Sequence, residues 1–526
     1  MSSFDITIDG RVVQARVGQS VLEVAQSVGI DIPALCYLEK CGPLNSCLVC
    51  LVKINGRLVP SCGTKALPGL KIESETAEVH EARKTALELL FSDHVGDCLS
   101  PCDRLCPLGL NIPRMMRQVQ GGQLGEAVVN VRQSLPLAGV LGRLCHHPCE
   151  QGCRRGAWDD PAGIRELERF LTNWETSQPN ATSRPVPQVA PTGKTTVIIG
   201  SGPTGLAAAH YLAQHGHSVT VVDRNSEAGG SLRHLAESEL PAAILEAEIG
   251  RLRALRIDFK LGVELGDHVR IDGLSRGSDA ILIATGPTAP EEAQKLGLPL
   301  RGSTLQVDPN TCQTPLNKVF AAGAVAKPVK QLVRAMAEGR AVAHCIHLVL
   351  QGKPPRRAER AFSSTMGRLE PGELRQFLAD SNSARRAAPC DRCTGFNNKE
   401  AAEEASRCFH CDCVSSGNCL LQHYAQAYGA DANRFRHERR KFDRQVQPGG
   451  IIFERGKCIL CGICVKLTDL AREPLGLTFI GRGFDVRVAA PFDHKIADGL
   501  QKVADECVKH CPTGALAKAP GDTAKG

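Results

Sequence analysis

Residues Thr195 to Ala209, TTVIIGSGPTGLAAA, are the stretch that decides the fold of this chain. The β-branched run Val197 to Ile199 predicts a strand, the glycines after it predict a turn, and the alanine-rich end predicts a helix. In such a unit Gly200 permits the tight turn, Gly202 lets the backbone approach a pyrophosphate, and Gly205 lets the helix pack on the strand. The stretch therefore predicts a dinucleotide site.

The residues that follow support this interpretation. Pro203 suits the first position of a helix, whose N-terminus offers N–H groups and a partial positive charge to phosphates. Val219 to Val222 predicts a second strand, and Asp223 closes it where a ribose hydroxyl is expected. A glycine turn in some other α/β unit is the alternative.

Bulk composition narrows the class of protein. The 526 residues predict about three to five domains, and the net charge of +7 does not argue for nucleic acid. No charged-then-apolar leader and no apolar run of about 18 residues occurs, which predicts a soluble, cytoplasmic chain without a membrane span. Of the 24 cysteines, 22 lie outside residues 195–353, in spaced groups that favour iron–sulfur clusters over disulfides.

The first cysteine group belongs to a predicted domain at residues 1–80. Alternating segments at 4–8 and 12–17 predict a β-hairpin, and residues 21–28 predict a helix. Four cysteines follow at C-x10-C-x2-C-x11-C spacing and suit one [2Fe–2S] centre, with structural zinc as the rival. They are Cys36, Cys47, Cys50 and Cys62.

Residues 81–175 predict a helical domain with two more cysteine groups. The first group runs His94-x3-Cys98-x3-Cys102-x3-Cys106, and the second is Cys145-x3-Cys149-x3-Cys153. The Ser-, Pro- and Thr-rich residues 176–194 predict a linker. The dinucleotide domain is expected at 195–353, with Gly230, Gly286 and Gly323 as further glycines of the site.

The C-terminal third holds two cysteine groups. Residues 354–389 predict a connector, and residues 390–445 a cysteine-rich segment whose six thiols suggest a further [4Fe–4S] cluster or zinc. These thiols belong to Cys390, Cys393, Cys408, Cys411, Cys413 and Cys419. In residues 446–526, Cys458-x2-Cys461-x2-Cys464 and the distant Cys511-Pro512 predict one [4Fe–4S] cluster, since Thr468 stands where a fourth nearby cysteine would allow two.

Several of these motifs resemble the large iron–sulfur subunit of complex I and the iron-only hydrogenases. The matching words are LVPSCGT at 58–64, HVGDC at 94–98, CILCGICVK at 458–466 and RGFDV at 482–486. The resemblance implies an N-terminal [2Fe–2S] domain, a terminal domain with one cluster, and a histidine ligand at the position of His94.

The interior of the chain instead resembles the small subunit of NADPH-dependent glutamate synthase and part of dihydropyrimidine dehydrogenase. CPLGLNIP, GRLCHHPCEQGCRRG and IRELERF carry this resemblance. It implies two [4Fe–4S] clusters, one on Cys98, Cys102 and Cys153 with His94 near its open position. The other would use Cys106, Cys145, Cys149 and Glu168. A surface histidine and an ordinary helix glutamate are the alternatives for the two residues that are not cysteines.

The dinucleotide domain resembles the FAD domain of the same family, with two departures. Only about thirty residues separate Gly286 from Asn317, where the family inserts an NAD(P)H-binding domain, and the chain has no second glycine fingerprint. Ala324 replaces an aspartate that in the family holds a ribityl hydroxyl of FAD, so weaker flavin binding is expected.

The parts predict a multidomain α/β and α+β protein. It would have a ferredoxin-like [2Fe–2S] domain, a helical two-cluster domain, a Rossmann-like FAD domain and a terminal [4Fe–4S] ferredoxin-like domain. No acid–base or nucleophile constellation is visible, so the chain is interpreted as the electron-transfer subunit of a multi-subunit oxidoreductase, with electron bifurcation as a variant.

Its expected cofactors are FAD, one [2Fe–2S] and three to four [4Fe–4S] clusters. Its expected partners are a hydrogenase, a formate or aldehyde dehydrogenase, an NAD(P)H-oxidising subunit or ferredoxin. The alternatives are a self-sufficient NAD(P)H-dependent oxidoreductase and a scaffold with an inactive flavin site.

Overall fold

A computed structural model describes residues 3–178, 189–266, 270–287, 293–294, 297–391, 394–415, 417–437, 439–447 and 450–518. Most of the predicted linker and Cys393 lie outside these residues. The strands are β1 Ser3–Ile8, β2 Arg11–Arg16, β3 Tyr37–Leu38, β4 Gly42–Pro43, β5 Leu51–Ile54, β6 Arg57–Pro60, β7 Lys71–Glu73, β8 Thr195–Ile199, β9 Ser218–Asp223, β10 Ile257–Leu261, β11 Ala280–Ile283, β12 Leu300–Arg301, β13 Thr304–Leu305, β14 Val319–Ala321, β15 Arg444–Val446, β16 Ile451–Glu454, β17 Thr478–Ile480, β18 Arg487–Ala489 and β19 Leu516–Lys518.

Helices occur in both halves of the chain, seven of them in succession between β7 and β8, and together with the strands they confirm the mixed α/β and α+β class. They are α1 Val21–Ser27, α2 Ala77–Leu90, α3 Pro101–Leu105, α4 Ile112–Gln120, α5 Leu124–Ser134, α6 Ala138–Leu144, α7 Pro148–Gln151, α8 Ile164–Ser177, α9 Pro203–Gln214, α10 Ala242–Ala254, α11 Ile271–Gly277, α12 Leu332–Leu350, α13 Pro371–Ala379, α14 Asn398–Ser406, α15 Leu420–Ala427, α16 Ile463–Leu470 and α17 Ala504–His510. Within the described residues, no helix is both long and apolar enough to cross a membrane.

The chain forms two compact units, each built from separate segments. Unit 1 comprises Met1–Ser100, Ala361–Asp380 and Cys411–Gly526, and unit 2 comprises Pro101–Arg360 and Ser381–His410. The division after Ser100 falls inside the predicted helical domain at 81–175, because α2 packs on β5 and α15 of unit 1. The other predicted domain boundaries stay predictions.

The first sheet of unit 1 has the strand order β2-β1-β7-β5-β6. Strands β1 and β2 pair antiparallel from Ser3↔Arg16 to Ile8↔Arg11, which confirms the predicted hairpin. The predicted helix is confirmed as α1, where Ser20 and Glu23 form a capping box that satisfies free N–H groups of its first turn. Below the sheet, the buried residues Ile6, Ile8 and Val52 belong to one apolar cluster.

The terminal part of unit 1 is a three-stranded antiparallel sheet, β15-β16-β19, with α16 and α17 beside it. Its apolar cluster also contains residues of the N-terminal part, including Leu35 and Phe91. The N-terminal and terminal parts of unit 1 therefore share a core.

Unit 2 contains a parallel sheet of order β10-β9-β8-β11-β14. The strand–turn–helix prediction is confirmed by β8 and α9. Helix α12 packs closely on α9, because a Cβ at Gly339 would lie 2.4 Å from the backbone oxygen of Thr204. Between β11 and β14 the described residues include the two-stranded hairpin β12–β13.

Helices α3 to α8 make up the rest of the core of unit 2 together with α14. Helix α6 packs against α8, where a Cβ at Gly142 would lie 2.9 Å from the backbone of Arg169. Beneath them, Arg132 of α5 forms ion pairs with Glu175 of α8 at 2.8 Å and with Glu248 of α10 at 2.6 Å. This buried network joins the cysteine-bearing helices to a helix of the dinucleotide domain.

Candidate iron–sulfur and flavin sites

The four N-terminal cysteines meet below the sheet of unit 1. Cys36, Cys47, Cys50 and Cys62 are all buried. Hydrogen bonds from the thiols of Cys47 and Cys62 lower the pKa of Cys36 to about 2, and one from Cys62 lowers the pKa of Cys50 to about 6. Thiolates are the ligands of iron, so this arrangement fits a [2Fe–2S] centre.

A second site in unit 1 brings together residues that are far apart in the sequence. His94 and Cys98 line a small cavity together with Cys413 and Cys419. The segment around His94 is fixed there because Val95 N donates to Gly456 O at 2.7 Å. On the other side, Ser364 Oγ donates to Gly96 O at 2.8 Å and lies 3.2 Å from Cys98 Sγ.

His94 has the properties of a ligand rather than of a surface residue. Burial, with the nearby charge of Lys457, lowers the pKa of its imidazole to about 3, so the ring is neutral at pH 7. Its Nδ1 atom is buried and has no hydrogen-bond partner among the described residues. A neutral imidazole and three thiols around one cavity fit a [4Fe–4S] cluster with one histidine ligand.

Lys457 adds a buried positive charge to the wall of this cavity. Its side chain is 4 % exposed and forms an ion pair with Glu454. Burial lowers the pKa of Lys457, but Glu454 and the thiolate of Cys413 outweigh it and raise the pKa above its ordinary value. The cation stabilises negative charge on the thiolates of this site.

The terminal site of unit 1 is a second small cavity. Its lining includes the four predicted ligands Cys458, Cys461, Cys464 and Cys511. Burial, with the nearby thiolate of Cys511, raises the pKa of Cys458 to about 11. Bound iron, which prefers thiolates, would offset this cost. Thr468 is not in this lining, and its hydroxyl donates to Val465 O at 2.8 Å and accepts from Leu477 N at 3.1 Å.

In unit 2, the structure brings together the second ligand set that the family resemblance implies. Cys106, Cys145 and Cys149 each interact electrostatically with the carboxyl group of Glu168. Glu168 is 6 % exposed, and burial raises its pKa to about 8. Three thiols and one buried carboxyl group fit the four ligand positions of a [4Fe–4S] cluster.

Cys98 lines the cavity of unit 1, and residues 94–98 are hydrogen bonded to residues 364 and 456 of that unit. Cys102 and Cys153 belong to unit 2, and the ligand set Cys98, Cys102 and Cys153 stays a prediction. In the 390–419 group Cys393 lies outside the described residues, and the other five cysteines have different surroundings.

Within that group, Cys390 is exposed beside Glu400, which accepts its backbone N–H at 3.1 Å. Cys408 packs on the core of unit 2, and Cys413 and Cys419 line the cavity of unit 1. Cys411 is half-buried at the start of a segment of unit 1. A [4Fe–4S] cluster or zinc held by four of these six residues stays a prediction. Sequence spacing missed the His94 site because its ligands are more than 300 residues apart.

The dinucleotide site is built around the turn after β8. Gly200 has a φ of +109°, and a Cβ at Gly205 would lie 1.9 Å from the backbone oxygen of Gly200. A Cβ at Gly230 would lie 2.8 Å from Gly202 Cα. A Cβ at Gly202 itself would meet no described atom within 4 Å, so the start of α9 is open to a ligand. This opening fits the pyrophosphate of FAD.

Asp223 and Ala324 lie at the two ends of this site. Asp223 Oδ2 accepts from Ser201 N at 2.6 Å and from Ser201 Oγ at 2.7 Å, while Oδ1 accepts from Asn225 N at 2.9 Å. The carboxylate thus holds the glycine-rich turn, and its predicted bond to a ribose stays a prediction. Ala324 is half-buried and follows Gly323, whose φ is +80°. Gly286 also has a positive φ, of +83°.

Replacing Ala324 by aspartate is expected to tighten FAD binding about 10–100-fold. A charge-assisted hydrogen bond contributes roughly 1.5–3 kcal/mol, and about 1.4 kcal/mol is a factor of ten in affinity. Titration of flavin-free protein with FAD, followed by quenching of flavin fluorescence, measures the change. Ala326→Asp, at another half-buried alanine of the same segment, is the control and should give no gain. Unchanged or weaker binding by Ala324→Asp would contradict the expectation.

Three family models match separate parts of the chain. The 2Fe-2S iron-sulfur cluster binding domain matches residues 2–77, and the 4Fe-4S cluster domain II of dihydropyrimidine dehydrogenase matches residues 76–180. The pyridine nucleotide-disulphide oxidoreductase model matches residues 167–339. These matches support the presence of a [2Fe–2S] site, a [4Fe–4S] site and a flavin-binding domain in this chain.

Curated relatives match the middle of the chain. The subunit beta of NADP(+)-dependent formate dehydrogenase of Moorella thermoacetica is 39% identical over 36% of this chain and 29% of its own length. The small chain of NADPH glutamate synthase of Mycobacterium tuberculosis is 33% identical over 40% of this chain and 42% of its own. The subunit beta of NADPH-Fe(3+) oxidoreductase of Geobacter sulfurreducens is 30% identical over 36% of this chain and 28% of its own.

The chain spans less than half the length of each of these relatives. The resemblance to the glutamate synthase small subunit is confirmed over that part. The chain therefore carries a 2Fe-2S cluster binding domain, a 4Fe-4S domain of the dihydropyrimidine dehydrogenase type and a pyridine nucleotide-disulphide oxidoreductase domain.

Proposed function

We propose that this chain is the electron-transfer subunit of a multi-subunit oxidoreductase and that unit 1 carries a row of three iron–sulfur clusters. The observation that carries the proposal is the packing of three cysteine sites within one unit. Iron–sulfur clusters pass single electrons, whereas a flavin takes two and releases them singly. The chain would thus relay electrons between a partner that does the primary chemistry and its own carriers.

The [2Fe–2S] site and the terminal site share one apolar cluster. Cys36, Cys47 and Cys461 all belong to this cluster, and the loop between the first two reaches the terminal site. There, Ser46 Oγ donates to Cys461 O at 3.3 Å. The shared apolar cluster is densely packed, and dense packing holds both sites in the fixed positions that electron transfer between them requires.

The terminal site and the His94 site share a wall. Lys457 and Gly514 line the His94 cavity, while their chain neighbours Cys458 and Thr513 line the terminal cavity. Thr513 Oγ1 donates to Lys457 O at 2.9 Å and holds the two segments of this wall together. The three sites thus follow each other through unit 1, with the terminal site in the middle.

The proposal names FAD and four to five clusters as the cofactors of the chain. Unit 1 would hold one [2Fe–2S] and two [4Fe–4S] clusters, and unit 2 would hold FAD with one or two further [4Fe–4S] clusters. The relatives that share its middle part are subunits of formate dehydrogenase and of an Fe(3+) oxidoreductase, by their names. A redox subunit of that class is the proposed partner of this chain.

Anaerobic titration with nucleotides tests this function. Protein with intact clusters is mixed with NADH, then with NADPH and finally with dithionite, while the flavin and iron–sulfur absorbance is followed. We expect no bleaching with either nucleotide and complete bleaching with dithionite, because the described residues form one dinucleotide-binding sheet only.

Rapid bleaching by NADH or NADPH would contradict the proposal. It would favour a self-sufficient oxidoreductase, as the NADPH-dependent names of the relatives suggest. Protein that binds all its clusters but no flavin would instead favour a scaffold with an inactive flavin site. The flavin and iron contents of the same preparation distinguish these two outcomes.

A further inference from the structure

We propose that Cys408 is a cluster ligand that completes, with Cys102 and Cys153, a [4Fe–4S] site in the helical core of unit 2. The family resemblance places a cluster on Cys102 and Cys153 but draws its third cysteine from position 98. Since Cys98 faces the His94 cavity of unit 1, the cluster in unit 2 lacks that thiolate. Cys408, more than 250 residues later in the chain, supplies it.

The first observation is the position of the Cys408 side chain. It packs on the apolar core of unit 2, the same core that contains Cys102 and against which Cys153 packs. Its sulfur also accepts the backbone N–H of His410 at 3.4 Å. His410 has a φ of +46°, so the chain turns sharply directly after this hydrogen bond. Hydrogen bonds from backbone N–H groups to sulfur are among the features that tune iron–sulfur clusters.

The second observation is how firmly the loop of Cys408 is attached to the segment of Cys153. Arg155, two residues after Cys153, is buried and donates from NH1 to Arg407 O at 3.1 Å. The same guanidinium lies 5.1 Å from the centre of the Phe409 ring. Arg155 thus binds the residues on both sides of Cys408.

A reciprocal set of bonds runs the other way. Arg407, also buried, donates to Asp159 Oδ1 at 3.1 Å and to Asp160 O at 2.9 Å. Glu404, one turn earlier on α14, accepts from Gly163 N at 2.7 Å. Ion pairs with Asp159 and Glu404 offset the cost of burying the two arginines. Together these bonds hold the backbone of Cys408 beside that of Cys153.

A third contact joins the loop to α4, the helix that follows the one carrying Cys102. His410 Nδ1 lies 3.4 Å from NH1 of Arg117 on α4, and α4 packs on both α3 and α14. Helix α3 contains Cys102. The loop 407–410 is therefore attached on one side to the helix after Cys102 and on the other to the turn after Cys153. The assignment of Cys408 is tested by the iron and sulfide content of the protein, which does not depend on the redox partner proposed above.

Iron and sulfide analysis of a Cys408→Ala variant tests the assignment. After anaerobic reconstitution, we expect the variant to lose about four iron and four sulfide per chain and one [4Fe–4S] signal in the electron paramagnetic resonance spectrum of the reduced protein. Its flavin content and the other cluster signals should not change. Cys345→Ala is the matched control, a buried cysteine in the same core, and should keep all its iron. Full iron and an unchanged spectrum in Cys408→Ala would overturn the proposal.

A second measurement needs no substitution and is independent of how the variant folds. Native protein is treated with iodoacetamide before and after a chelator has removed the iron, and the modified cysteines are identified by mass spectrometry. Cys408 should resist modification while iron is bound and react after its removal, together with Cys153. Modification of Cys408 in protein with its full iron content would overturn the proposal.

Discussion

Replacing His94 by cysteine is expected to leave the iron content of the protein unchanged and to lower the reduction potential of one [4Fe–4S] cluster by about 100 mV or more. A neutral imidazole ligand adds no charge to a cluster, whereas a thiolate adds one negative charge. Extra negative charge disfavours the reduced state, and histidine ligands raise cluster potentials for the same reason. Redox titration followed by electron paramagnetic resonance measures the shift.

The structure makes this effect large because the site is enclosed. His94 is buried, its pKa is lowered to about 3 and its Nδ1 atom has no described partner. In such surroundings a new negative charge is poorly screened by solvent. The buried cation of Lys457 is part of the same wall and would stabilise the thiolate without abolishing its effect.

Two further variants distinguish a residue that binds the cluster from one that only lies near it. His94→Ala should lose the cluster or bind it weakly, and Cys413→Ala should lose about four iron, because each removes one ligand of this site. His80→Cys, on the exposed surface of α2, is the control and should leave every potential unchanged. If His94→Cys left all potentials within a few millivolts of the parent values, His94 would not be a ligand.

Replacing Arg132 by methionine is expected to lower the free energy of unfolding of unit 2 by about 3–5 kcal/mol. Arg132 donates to Glu175 from Nε at 3.0 Å and to Glu248 from NH1 at 2.6 Å, and both carboxylates are buried. Without the guanidinium, two buried negative charges lose their main partner, although Arg251 still forms an ion pair with Glu175 at 2.9 Å. Urea unfolding followed by circular dichroism measures the loss.

The same region offers a rescue and a control. Adding Glu248→Gln to Arg132→Met should recover part of the stability, since removal of the unpaired charge costs less than leaving it buried. Arg356→Met, whose ion pair with Glu359 is exposed, should change the unfolding free energy by less than about 0.5 kcal/mol. Equal losses of unfolding free energy in Arg132→Met and Arg356→Met would show that the buried ion pairs stabilise the protein no more than the exposed one.

The His94 site shows where sequence patterns stop being informative. Its histidine and first cysteine stand at residues 94 and 98, and its other two cysteines stand at 413 and 419. Between them the chain passes through unit 2. Spacing rules work when ligands share a local loop or turn, and no local pattern links residues 94–98 to residues 413–419. The grouping of Cys98 with Cys102 comes from the family resemblance and stays a prediction.

The sequence by itself determined the elements whose cause is local. The glycine turn after β8 follows from backbone sterics, and the hairpin β1–β2 follows from strand alternation. The four-cysteine sites around Cys36 and Cys458 follow from the spacing of their cysteines. Only the tertiary structure decided which distant thiols meet. Cys413 with His94, and Cys408 with the core of Cys102, depend on how the segment 381–419 divides between the two units. That division is set by buried contacts far apart in the sequence, such as Arg155 with Arg407 and Val95 with Gly456, and no local pattern encodes them.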